Sequence, residues 1–287
     1  MTDFNEIAFL ELTASKCREN VIRMIKASEH GHIGGALSCL DIVTAVYFHA
    51  MNIDPADPKK EDRDRFILSA GHKCLAQYAV LAEKGYFPKS ILDTYGSLHS
   101  KMPGHPDMHK LPGVEANTGA LGHGLSIACG MALGLRNEHS DAKIYVVMGD
   151  GELPEGSNWE AASVASHYHL DNIVLFVDNN GLQISGKVEE VMNMTPIDER
   201  FKAFGWAVKN IDGNDMREIV DTLDSIPLEK GKPTAIIAHT VKCKGLAEGE
   251  GNAAFHYWSP SREEAEAAEE EIKKRTLALE QKSGEKI

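Results

Sequence analysis

Two acidic residues stand where a folding chain seldom keeps them. In VVMGDGELPEG, residues 146–156, Asp150 and Glu152 lie among glycines directly after a β-branched apolar run. A carboxylate at the mouth of a buried strand must find a cation or give up its charge. Farther along, the apolar run NIVLFVD ends at Asn179 and Asn180, thirty residues beyond Asp150. That interval suits one strand–helix–strand unit, whose neighbouring strand tips stand about 5 Å apart. Ligands of open parallel sheets collect outside the carboxyl ends of the strands. There the Asp150 carboxylate and the Asn180 amide oxygen, joined by a backbone carbonyl and phosphate oxygens, make a site for Mg2+, or for Ca2+ or Mn2+ in its place, that ties protein to diphosphate. Gly149 and Gly151 let the backbone approach the phosphates with no Cβ in the way.

The elements that must hold these residues are legible in outline. Apolar residues recur at helical spacing from Ile7 to Ile25, and SCLDIVTAVYFHAM, opened by Ser38, reads as a second helix after a glycine-rich break, GHIGGA. RFILSAG (65–71) reads as a buried strand and KCLAQYAVLAEKG as the helix after it. Between Lys89 and Glu115, Pro, Gly, His and Met crowd out periodicity, so a long functional loop is expected. GALGHGLSIACGMALGLRNEH becomes a small-residue helix whose N-terminus suits an anion. KIYVVM, NIVLFVD and PTAIIAHTV are near-continuous apolar runs, the mark of parallel strands covered on both faces. NWEAASVASHYHL supplies one crossover helix and MREIVDTLDSI another. The expected fold is α/β, a doubly wound, mostly parallel sheet with helices on both faces, spanning residues 1–260 as one domain. Residues 261–287 read as a charged helical tail facing solvent, opened by a capping box of Ser261 and Glu264.

Bulk properties narrow the partners. The chain has 287 residues, a formal net charge of -13 and 43% hydrophobic residues, enough for a sizeable core. Such a charge argues against nucleic acid and against anionic membranes, both of which call for clustered Lys and Arg. Cys17, Cys39, Cys74, Cys129 and Cys243 are scattered without close pairs, suggesting neither a zinc site nor a disulfide framework. The acidic N-terminus lacks the pattern of a secretory signal, and no apolar run is expected to reach membrane-spanning length. A cytoplasmic setting is the expectation.

GDG after one buried strand with NN at the end of the next resembles the metal signature of thiamine-diphosphate enzymes. More specific are GHIGGA, SAGHK, MPGHPD, TGALGHG and GDGELPEGSNWEA, which occur in the order and at about the spacing seen in transketolase. From about residue 10 to 260 the chain resembles the N-terminal, diphosphate-binding half of that family, and so implies a thiamin diphosphate-binding fold. The resemblance implies Asp150, Asn180 and the Leu182 carbonyl as metal ligands, and His72 and Gly151 at the diphosphate. It places Gly119 and Leu121 beside the aminopyrimidine. His32, His72, His105 and His256 match the histidines that handle sugar hydroxyls and move protons, His256 also bordering the cofactor, and Glu155 matches an acid buried between two active sites. Ala120 and His123 depart from the family's usual Pro and Gln, and the segment before His256 departs as well.

The implied activity is transfer of a two-carbon ketol unit from a ketose, phosphorylated or not, to an aldose. Nothing in the tail resembles the family's pyrimidine-binding half or its phosphate-gripping arginines. A separately encoded second subunit is therefore expected, two of each assembling. Two readings compete: the alpha chain of a thiamine-dependent 2-oxo acid dehydrogenase, and a non-catalytic subunit that keeps the fold. A 1-deoxyxylulose-phosphate synthase-like activity is a nearer relative, normally carried on one chain.

Overall fold

The computed structural model describes residues 4–284; residues 1–3 and 285–287, the outer ends of the expected domain and tail, lie outside the described residues. Its helices are α1 (Phe4–Ser28), α2 (Ile33–Ala45, continued by a π turn, Val46–Ala50), α3 (Cys74–Lys84), α4 (Gly124–Asn137), α5 (Gly156–His167), the short α6 (Val188–Val191) and α7 (Ile197–Ala203), α8 (Met216–Leu223) and α9 (Arg262–Gly284). Strands β1 (Arg65–Leu68), β2 (Ile144–Gly149), β3 (Ile173–Asn179), β6 (Ala207–Asp212) and β7 (Thr234–His239) form one parallel sheet in the order β1-β2-β3-β7-β6. A small antiparallel hairpin, β4 (Leu182–Gln183) with β5 (Gly186–Lys187), follows β3.

Successive side chains of the central strands feed two separate cores, which is why their sequences are apolar throughout. Tyr145, Val147, Val174, Phe176 and Ile236 pack against α1, α2, α3 and α8. Ile144, Val146, Leu175, Val177 and Ile237 pack against α4, α5 and α7. The strand that the apolar runs did not reveal is β6. It is an edge strand, paired on one side only, and its middle residues Lys209 and Asn210 are not buried.

Packing corrects three expectations. Helix α2 begins at Ile33, so the glycines read as a break are its first turn. Gly34 is needed because a Cβ there would meet the Phe255 carbonyl oxygen at 2.6 Å, and at Gly35 it would meet the Lys73 stem at 3.1 Å. Tertiary contact thus overrides helix propensity. Second, the stretch Ile33–Ala50, with mean hydropathy 1.4 over 18 residues, is long and apolar enough to cross a membrane by length and composition. In this fold 83% of it is buried inside the protein, between α1, α3 and α8. Third, α9 has the expected capping box, with Glu264 N donating to Ser261 Oγ and Ser261 N to Glu264, yet one stripe of it is not solvated. Ala265, Ala268, Ile272 and Thr276 are buried against the body of the domain, and the Thr276 hydroxyl lies 2.8 Å from that of Ser15 on α1.

Candidate active site

β2 and β3 are in register with Gly149 opposite Asp178, so Asp150 and Asn180 emerge just beyond adjacent strand tips. Asp150 is 2% exposed; its Oδ2 accepts from Gly181 N at 2.6 Å and its Oδ1 from Gly151 N at 2.8 Å. Burial, with the nearby Asp178 charge, pushes its carboxyl up to about 6. Asn180 Nδ2 donates to Ser38 Oγ (3.2 Å) and Asp178 Oδ2 (3.4 Å), which leaves Oδ1 to accept from Leu182 N at 3.1 Å. The Leu182 carbonyl accepts from Lys242 Nζ at 3.3 Å. Asp150, Asn180 and the Leu182 carbonyl thus converge as an all-oxygen donor set containing a single carboxylate. Among the described residues no group of three or more His, Cys, Asp or Glu could hold a metal ion. A hard cation that completes its shell with phosphate and water oxygens fits this set, and a dedicated all-protein cage does not.

These tips floor a cavity of about 220 Å³. Of the residues expected from the sequence, His32, His72, Gly119, Leu121, Gly149, Asp150, Gly151, Asn180, Leu182 and His256 line it. His105 stands at its side, with its ring about 3 Å from where a Cβ on Gly119 would project; Gly119 itself has φ +151, a conformation that favours glycine. Glu155 is not in the cavity. It precedes α5 with its carboxylate exposed and its stem packed on Gly122. The cradle is shaped for a ligand with polar groups. A Cβ on Gly151 would meet Gln183 at 3.0 Å, and Gln183 Nε2, in the cavity wall, is buried without a hydrogen-bond partner among the described residues.

Four histidine rings meet above this floor. His32 lies 5.3 Å from His72, 5.4 Å from His256 and 6.3 Å from His105, centre to centre, and His72 lies 5.4 Å from His256. Separate elements deliver them: the residue before α2, the turn before α3, the 96–118 loop and the turn after β7. The Tyr78 hydroxyl on α3 lies 3.0 Å from the carbonyls of Pro103 and His105 and pins the loop. Burial, reinforced by neighbouring positive groups, pulls the His72 ring far below its usual value and His256 down to about 4; His32 is also lowered, first by burial and then by His105. At neutral pH these three are uncharged imidazoles, able to accept a proton at one nitrogen while donating from the other.

Glu152, conspicuous in the sequence but without a role there, finds one in the structure. It is 2% exposed and bonded three ways, to the Ser69 hydroxyl at the β1 tip, to Gly122 N (2.9 Å) and to Gly149 N (3.3 Å). It therefore fastens the loop carrying Gly119 and Leu121 to the strand tip carrying Asp150. Sequence reasoning also missed Lys73, Asp178 and Lys242. Lys73 and Asp178 adjoin recognised motifs, and Lys242 follows β7 by three residues, the only signal they gave. Lys242 is 2% exposed, and burial, then the Lys73 charge, lowers its ammonium to about 8. Its contacts are the Leu182 carbonyl and His256 Nδ1, each at 3.3 Å.

Comparison with known proteins agrees with this geometry. The family described as "Transketolase, thiamine diphosphate binding domain" matches residues 11–274. The chain belongs to the transketolase family. Its relatives in that family include one of the two apulose-4-phosphate transketolase chains of Phocaeicola vulgatus, named as a subunit, 43% identical over 98% of this chain and 100% of the relative. A 6-deoxy-6-sulfo-D-fructose transketolase subunit of a Clostridium species is 41% identical over 89% of this chain and 94% of its own length. Among solved structures, transketolase from Campylobacter jejuni matches with TM-score 0.85 and 33% identity over 95% of this chain and 43% of that one. A Pichia stipitis transketolase variant matches with TM-score 0.82 and 28% identity, over 96% of this chain and 46% of that one. This transketolase-family chain thus spans somewhat less than half of the solved transketolases and nearly the full length of relatives named as subunits. The resemblance read from the sequence, to the N-terminal half of a transketolase divided between subunits, is borne out. It carries a thiamine-diphosphate-binding domain of a transketolase-type enzyme.

Proposed function

We propose that this chain is the diphosphate-binding subunit of a two-subunit, Mg2+-dependent enzyme that moves a two-carbon ketol unit from a ketose, or ketose phosphate, to an aldose. The observation that carries the reading is the placement of one oxygen donor set and four histidines on a single cavity. Thiamine diphosphate, when bound, supplies a nucleophilic carbon that also serves as the electron sink. Asp150, Asn180 and the Leu182 carbonyl hold the metal ion, and Gly149, Gly151, His72 and Lys242 bear on the diphosphate. Gly119 and Leu121 present backbone to the pyrimidine ring. The uncharged His32, His72 and His256, with His105 beside them, take up and return the proton of the sugar hydroxyl as the carbon–carbon bond breaks or forms. A subunit that decarboxylates 2-oxo acids has no use for such a ring, which favours sugar chemistry.

Relatives named as transketolase subunits support a separate partner chain, assembled two plus two, with Glu155 turned toward a subunit contact. Asp150→Ala removes Mg2+-dependent binding of thiamine diphosphate, measured by titration calorimetry on the assembled complex; unchanged affinity takes Asp150 out of the metal site. Ketol transfer at full rate by the purified chain alone, with thiamine diphosphate and Mg2+ added, defeats the two-subunit reading.

A further inference from the structure

Lys73 is 3% exposed, yet nothing in the proposed chemistry requires a lysine there. It occupies a slot that two glycines leave open. A Cβ on Gly35, in the first turn of α2, would stand 3.1 Å from Lys73 Cγ and Cε; one on Gly149, at the end of β2, would stand 3.2 Å from its Nζ. Threaded between them, the ammonium reaches the cavity wall and donates to Asp178 Oδ2 at 2.5 Å. Asp178 has no exposed surface and is shared with the hydroxyls of Ser38 (2.5 Å) and Thr240. An ammonium has three donors. Among the described residues Asp178 is the one hydrogen-bond acceptor of Lys73, so two protons of a buried cation stay unspent at the edge of a cavity.

A buried ion pair is a poor device for stability alone, since apolar side chains of similar size often serve as well. Its position explains it better. The pair lies under Gly149, beside the oxygen donor set and across the cavity from Lys242, where an anionic group between them would find acceptors for every spare donor.

We propose that Lys73 is a second ammonium of the diphosphate seat, held in place by Asp178 and donating its remaining protons to phosphoanhydride oxygens. This rests on the thiamine-diphosphate reading of the cavity. Asp178 competes with the ligand for Lys73 while fixing where the ammonium sits. Its amide counterpart would still accept from Ser38 and Asn180 through the remaining oxygen.

The test is titration calorimetry on the assembled complex with Mg2+ and inorganic pyrophosphate, repeated with thiamine diphosphate and with unphosphorylated thiamine. Lys73→Met should weaken pyrophosphate and thiamine diphosphate by about tenfold to a hundredfold, the loss typical of a charged hydrogen bond, and leave thiamine unchanged. Asp178→Asn, which frees Lys73, should bind pyrophosphate at least as tightly as the unaltered protein. The double variant, which removes both charges and spares the fold an unpaired buried ion, should stay weak. A lysine that only neutralises Asp178 gives the opposite pattern, with both single variants weak and the double restored; that result overturns the proposal, as does equal loss of thiamine and pyrophosphate in Lys73→Met. If the unaltered complex binds neither thiamine diphosphate nor pyrophosphate, the cofactor reading itself is wrong.

Discussion

Replacing Glu152 tests whether one buried carboxylate fastens the cofactor loop to the strand tips. In Glu152→Ala the donors at Ser69 Oγ, Gly122 N and Gly149 N lose their acceptor together. The Ser69 hydroxyl can rotate toward another partner, but the two backbone N–H groups cannot, and each orphaned buried donor costs about 1–3 kcal/mol. Against this stands relief of the burial that raises the Glu152 carboxyl above its usual range. A net loss of about 2–4 kcal/mol follows, equivalent to a melting temperature lower by roughly 5–10 °C for a chain of this size. Glu152→Gln keeps an oxygen for Ser69 and Gly122 N and sets an amide nitrogen against Gly149 N, for about 1 kcal/mol. Urea and thermal unfolding of both variants give these numbers, and thiamine diphosphate affinity should fall in the same order. An alanine variant within about 1 kcal/mol of the unaltered chain, or a glutamine variant as damaged as alanine, refutes the reasoning.

Two further tests concern the scaffold. His49 lies 2.7 Å from Glu6 and 2.8 Å from Asp224; burial opposes its charge, but the two carboxylates outweigh it and its pKa is raised above 6.5. A raised folded pKa adds stability that is complete below the unfolded value of 6.5 and fades as pH rises through the folded one. The melting-temperature gap between the unaltered chain and His49→Gln should therefore be wider at pH 6 than at pH 9; a gap independent of pH removes the ion pairs from the account. Ile272 on α9 has no exposed surface, so Ile272→Ala should cost about 2–5 kcal/mol in urea unfolding. A cost under about 1 kcal/mol would make α9 a loosely attached tail.

What could be read from the sequence follows from how far each signal depends on distant parts of the chain. β1, β2, β3 and β7 were legible because burial on both faces left only apolar side chains, and the residues at their tips followed from strand order. β6 escaped because an edge position tolerates Lys209 and Asn210. The start of α2 was misread because Gly34 and Gly35 answer to Phe255 and Lys73, residues brought near only by folding. The solvated tail was half right: its charges are exposed, and the stripe from Ala265 to Thr276 that meets α1 is thin enough to vanish in the composition. Among site residues, those carrying a motif were found. Glu152, Asp178, Lys73 and Lys242 were not assigned, because the partner that gives each its meaning lies on another element.

His32 is fixed directly ahead of Ile33, at the head of the most lipid-like helix in the molecule. That histidine has little freedom of its own: it moves only if the whole rod moves, and the rod is gripped on all sides. Trimming Val43, ten residues and about 15 Å down the axis, would therefore tilt a proton-handling group that it never touches. Damage deep in the oily interior should surface as lost turnover before it surfaces as lost solubility.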